Sequence, residues 1–122
     1  MNKLIPSPTA RAVLLTAAVF IFASDGAIPA EQAKASRRAE IVNMVRQDCG
    51  SCHGMTLRGG LGPSLEARML ADKDAEQLQF VILNGRRGTP MPPWKDFLSE
   101  SEAAWIVELL RQGTLEGTFH AR

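Results

Sequence analysis

Cys49-Gly50-Ser51-Cys52-His53 is the stretch on which the reading of this chain turns. Two thiols separated by two residues, with an imidazole directly after the second, form the spacing of c-type haem attachment. Each thiol can add across one vinyl group of the porphyrin, and the two intervening residues let one turn of chain reach both. The imidazole of His53 then lies under the iron as its proximal ligand. Three other chemistries use some of the same residues. A thioredoxin-like redox pair would need a βαβ setting, which the flanking sequence does not offer. A structural zinc site wants four ligands, and only His120 is left to join these three. A plain disulfide explains the cysteines but not the adjacent histidine.

Working outward from the motif, three helical patterns appear. Ser36 is a suitable N-cap, and Ile41, Met44, Val45 and Asp48 recur at helical spacing, which predicts a first helix over 36–48. Its end carries the cysteines. Asp74 with Gln77 three residues on forms a capping box, and Asn84-Gly85 is a stop. Ala75, Leu78, Val81 and Ile82 make the stripe of this second helix. Phe80 and Leu83 lie off it, so the helix is expected to be buried on more than one side. The third helix opens on the capping box Ser99-Glu100-Ser101-Glu102 and closes at Gly113. Its apolar arc runs over Ala103, Trp105, Ile106, Val107, Leu109 and Leu110, with Trp105 expected in the core against the first helix.

The connections are long and rich in glycine and proline, over 59–63 and 85–93, and none alternates like a strand. A short helix started by Ser64 is expected over 64–71, and a loose polar tail over 113–122. The fold class is therefore all-α, with three main helices and loops that need something to pack on. A covalent haem would supply that missing core.

Composition narrows the function. The 122 residues allow one small domain. With 45% apolar and 22% charged residues, the chain is not disordered as a whole. A net charge of +1 speaks against a basic nucleic-acid binder, and two cysteines exclude a disulfide-dense scaffold. No apolar run reaches the roughly 18 residues of a spanning helix. At the N-terminus, Lys3 and Arg11 precede the apolar run Ala12 to Ala23 and then small residues up to Ala30. That is the layout of a signal peptide over 1–30, cleaved after Ala30, with an uncleaved anchor as the alternative. Residues 31–122 would then be the mature domain, exported to the periplasm. Their balanced charge offers no strong docking field by which to choose a partner.

The order of these parts resembles the class I c-type cytochromes over about residues 36–113. Cys49 to Gly54, Gly59-Gly60-Leu61-Gly62-Pro63 and Gly88-Thr89-Pro90-Met91-Pro92-Pro93-Trp94 are similar to the cytochrome c55X group of denitrifying bacteria. The resemblance implies a class I cytochrome c fold wrapped around one haem c, held through Cys49 and Cys52. It implies a monomeric periplasmic one-electron carrier rather than an enzyme. Its partners would be a cd1-type nitrite reductase or a dehydrogenase of haem d1 formation.

Five residues compete for the far side of the iron: Met44, Met55, Met69, Met91 and His120. Met44 belongs to the stripe of the first helix. Met55 follows His53 too closely, Met69 is short of chain, and His120 sits in the tail. Met91, 38 residues after His53, is flanked by Pro90, Pro92 and Pro93. Fixed proline angles reduce the entropy lost in holding a thioether on a metal. The family also places its distal methionine here, and assigns the carbonyl at the Pro63 position to the proximal imidazole. Arg58, Arg86, Arg87 and Trp94 are candidates for the haem propionates, with Trp94 expected against the haem edge. Two rival functions stay open. One is a haem sensor or small peroxidase with a displaceable Met91; the other is a carrier that hands on a d1-type haem.

Overall fold

The computed structural model describes residues 29–116. The expected leader therefore lies outside the described residues except for Pro29 and Ala30, and His120 lies outside them too. The helices are α1 (Ala30–Met44), a π-helical turn (Val45–Cys49), α2 (Gly50–His53), α3 (Ala67–Leu70), α4 (Ala75–Asn84) and α5 (Glu100–Arg111). No strand occurs among the described residues.

The first helix differs from expectation at both ends. It begins at Ala30, not at Ser36, because residues 30–35 are alanine, glutamate, glutamine and lysine. These are strong helix formers that carry no apolar stripe, so periodicity does not reveal them. The Pro29 carbonyl caps the start by accepting from the amides of Gln32 and Ala33. Nor does the helix stop at Asp48. The π turn passes it into α2, and the helical run ends at His53. Such turns insert one extra residue and re-aim the side chains that follow.

The second and third helices start where their caps say. Asp74 accepts from the Gln77 amide at 2.8 Å. At Ser99 the box is reciprocal: its hydroxyl accepts from the Glu102 amide at 3.2 Å, and the Glu102 carboxylate accepts from the Ser99 amide at 2.8 Å. The short helix is only the four residues of α3, and the Ser64 hydroxyl accepts from the Glu66 amide just before it.

α5 buries Ala103, Ile106, Val107 and Leu110. Of these, Ile106 and Leu110 join Ile41 and Val45 of the first helical run with Leu57, Leu70, Leu98 and Leu115. Arg37 of α1 clamps the far end, donating to the Glu102 carboxylate and to the Phe97 carbonyl, each at 2.7 Å. Trp105 is only half-buried, at the rim between α1 and α5, where the Arg38 guanidinium lies 5.4 Å from its ring centre. The expected core position is thereby corrected. So is the first part of the expected loose tail, since Leu115 is buried and the Glu116 carboxylate accepts from the Ala67 amide at 2.6 Å; 117–122 lie outside the described residues.

α4 corrects a third expectation. It packs on α5, yet none of its residues is fully buried, and Phe80 is 63% exposed. Its stripe of Leu78, Val81 and Ile82 lines a cavity, with Leu78 and Ile82 also touching the edge of the core.

Candidate functional site

That cavity measures about 750 Å³. Cofactor-sized sites run from roughly 300 to 1,000 Å³ and are mostly apolar. Cys49, Cys52, His53, Pro63, Met91 and Trp94 all line it, beside Leu78, Val81 and Ile82 of α4 and Ile106, Val107 and Leu110 of α5. Residues spread from position 49 to position 110 are thus brought to one space.

His53 ends the helical run and is buried. Its Nδ1 lies 2.7 Å from the Pro63 carbonyl oxygen. A carbonyl can only accept, so Nδ1 carries the proton and donates, and Nε2 keeps a lone pair. The loop that delivers Pro63 is tied back onto the helix end. The amides of Gly59 and Gly62 donate to the carbonyls of His53 and Cys52, each at 2.8 Å. Gly62 has no space for a side chain: an added Cβ would sit 2.8 Å from both Cε1 and Nδ1 of the His53 ring. Leu57, fully buried, holds the turn with φ at 60°, a left-handed conformation that costs a branched residue energy.

Both cysteines are free and half-buried, so the disulfide reading fails. Burial, helped by the nearby Asp48 charge, pushes the Cys49 thiol up to about 11. A thiol that stays protonated at neutral pH is a poor redox nucleophile and a poor zinc ligand. No group of three His, Cys, Asp or Glu suited to a metal occurs among the described residues.

Met91 is half-buried, in a loop clamped to the end of α4. The Arg86 amide donates to the Met91 carbonyl at 3.2 Å, and the amides of Trp94 and Lys95 donate to the carbonyls of Ile82 and Leu83. Gly85 makes the turn at φ 70°, and a Cβ there would meet the Met91 oxygen at 2.7 Å. The Thr89 hydroxyl donates to the Arg86 carbonyl at 2.7 Å. Of the other methionines, Met44 and Met69 also line the cavity, while Met55 does not and is 50% exposed. Arg86 lines the cavity; Arg58 and Arg87 do not, and Arg58 lies 3.6 Å from Glu66.

An imidazole with a free lone pair, a thioether on a braced loop and two free thiols, all on an apolar cavity, fit haem c. The close approaches at Gly62 and Gly85 are what sequence reasoning missed. Both glycines stood in quoted motifs, but only packing shows what each must avoid.

Known proteins point the same way. The family described as Cytochrome C oxidase, cbb3-type, subunit III matches residues 33–110. Cytochrome c55X of Pseudomonas aeruginosa is 47% identical over 85 residues, which cover 70% of this chain and 71% of that protein. The chain belongs to the cytochrome c55X family of c-type cytochromes. The solved structure of a c-type cytochrome, NirC, superposes on this cytochrome fold with a TM-score of 0.65 and 47% identity, covering 66% of this chain and 95% of that one. A segment of the Dihydro-heme d1 dehydrogenase of Pseudomonas aeruginosa is 36% identical over 69 residues, 57% of this chain and 14% of that enzyme. A cytochrome c domain implies haem c, and the spacing of Cys49, Cys52 and His53 is consistent with its covalent attachment.

Proposed function

We propose that the protein is a one-electron carrier of denitrification, working in the periplasm with one haem c. Cys49 and Cys52 would hold the group as thioethers, and His53 and Met91 would supply the nitrogen and sulfur that bind its iron. Haem c supplies a single iron that alternates between two oxidation states.

The remaining work falls to the chain. Pro63 fixes the imidazole tautomer and, by accepting its proton's hydrogen bond, raises the donor strength of Nε2. The braced loop keeps the Met91 thioether in place, which favours reduced iron and raises the potential. The apolar lining from α4 and α5 excludes water and favours the less charged state. Trp94 would hold the group at its edge, and Arg86, the one arginine of the three candidates on the cavity, would pair with its carboxylates. With His53 and Met91 both engaged on the iron, oxygen or peroxide would find no free site, so the role is that of a carrier. The observation that carries this reading is the Nδ1 contact between His53 and Pro63, which leaves Nε2 for a metal.

Residues 1–30 serve as the export leader, cleaved after Ala30. No helix among the described residues is long and apolar enough to cross a membrane. The partner is a cd1-type nitrite reductase or a dehydrogenase that completes haem d1. The segment resembling this chain within a dihydro-heme d1 dehydrogenase supports the second, since an enzyme that removes electrons needs a carrier to receive them. Replacing Met91 by alanine tests the ligand set. Met91→Ala should keep covalent haem, lower the potential and let the reduced protein bind carbon monoxide. An unchanged potential would remove Met91 from the site.

A further inference from the structure

Cations are distributed unevenly over the described surface. Arg37, Arg58 and Arg68 each lie within ion-pair distance of a glutamate. Residues 77–95, by contrast, hold Arg86, Arg87 and Lys95 with no carboxylate, and Asp96 is the first acid after them. All three cations are exposed and, like Lys34, Arg38, Arg46, Lys73 and Arg111, belong to no ion pair among the described residues; what sets them apart is the stretch without a carboxylate that holds them. The backbone gathers them, since the Lys95 amide donates to the Leu83 carbonyl at 3.2 Å, close to where Arg86 and Arg87 leave α4.

Apolar surface lies among these charges. Pro90, Pro92 and Pro93 are exposed. Phe97 is 62% exposed and rests against the Trp94 ring, with centroids 5.9 Å apart. Trp94 and Met91 line the cavity. Surface that is cationic at its edge and apolar at its centre therefore lies one or two residues from the site. That is the anatomy of a docking face: apolar centres hold complexes, and rim charges steer them.

We propose that the 86–97 segment is the docking face for a redox protein with an acidic rim. Carboxylates of the partner pair with Arg87 and Lys95, and its apolar centre covers Phe97 and the prolines. One electron crosses this face between the protein and its partner, leaving one oxidised as the other is reduced, with no bond made and no proton moved. This inference rests on the carrier reading above. A net charge of +1 gives little long-range guidance, so the steering field is the local one.

The test uses reduced holoprotein and two small one-electron oxidants of opposite charge. The probes are anionic hexacyanoferrate(III) and cationic tris(phenanthroline)cobalt(III), followed by stopped flow at low ionic strength. Arg87→Gln/Lys95→Gln removes two cations from the face, and Lys34→Gln/Arg46→Gln removes two from the first helical run. The first pair should slow the anionic oxidant roughly two- to fivefold and speed the cationic one, and the second pair should change both much less. A changed potential would move both oxidants in the same direction and so cannot imitate this result. Equal effects from the two pairs, or parallel shifts for the two oxidants, would overturn the docking face. No electron exchange with either oxidant would overturn the carrier reading itself.

Discussion

At Gly62 the site depends on the absence of a single methyl group. An added Cβ would lie 2.8 Å from the His53 ring, so the ring must turn and leave the Pro63 carbonyl. The imidazole then donates less electron density, and oxidised iron loses support. Gly62→Ala should keep covalent haem but raise the potential by tens of millivolts, on the scale of one lost hydrogen bond. Potentiometric titration checks this, and an unmoved potential would mean that the ring accommodates the methyl. Much at this scale was legible in the sequence. The attachment motif and Met91 between prolines stood out by residue type and spacing, and the fold brings them to one cavity. The need for glycine at 62 and 85 was not, because it arises from contacts with residues the chain reaches only after folding.

Elements were legible where a cap or an apolar stripe marked them. Asp74, Ser99 with Glu102, and Gly113 fixed the ends of α4 and α5 through local hydrogen bonds. α1 was half legible: its first turns carry helix propensity with no stripe, and its passage through a π turn has no signature in residue type. The stripe of α4 was legible, but burial on more than one side was not borne out: Phe80 is exposed, and the stripe borders a cavity rather than being enclosed. The bond between α1 and α5 makes a prediction about acid. The Arg37 guanidinium, then the Ser99 amide, lower the Glu102 carboxyl from 4.5 to about 2. A depressed folded-state value means that the stabilisation is complete above the unfolded value and is lost as pH falls toward about 2. The urea midpoint of the wild type should therefore drop between neutral pH and about pH 3, and Arg37→Gln should shrink that drop. An equal drop in both would show that other carboxylates govern the acid response.

The whole molecule has little core of its own. Eight buried residues form the main cluster, beside a cavity of about 750 Å³. A small domain with so large an apolar void leans on what fills it. Cys49→Ser/Cys52→Ser, which removes the covalent hold, should lose much of the helical signal in far-ultraviolet circular dichroism and its cooperative unfolding transition. A native-like signal would mean that the helices stand without the cofactor. The total charge of the chain showed no preferred partner, and it took the folded surface to set the cations of the carboxylate-free stretch beside the exposed prolines and Phe97.

The central claim is a haem iron closed on both sides by His53 and Met91. The most direct measurement is the absorption spectrum of the purified protein, oxidised and then reduced, with and without carbon monoxide. A low-spin spectrum with a methionine–iron charge-transfer band, unchanged by carbon monoxide, is the predicted result. A high-spin component, or a shift on adding carbon monoxide, would contradict it and make the iron an open site for ligand sensing or peroxide chemistry.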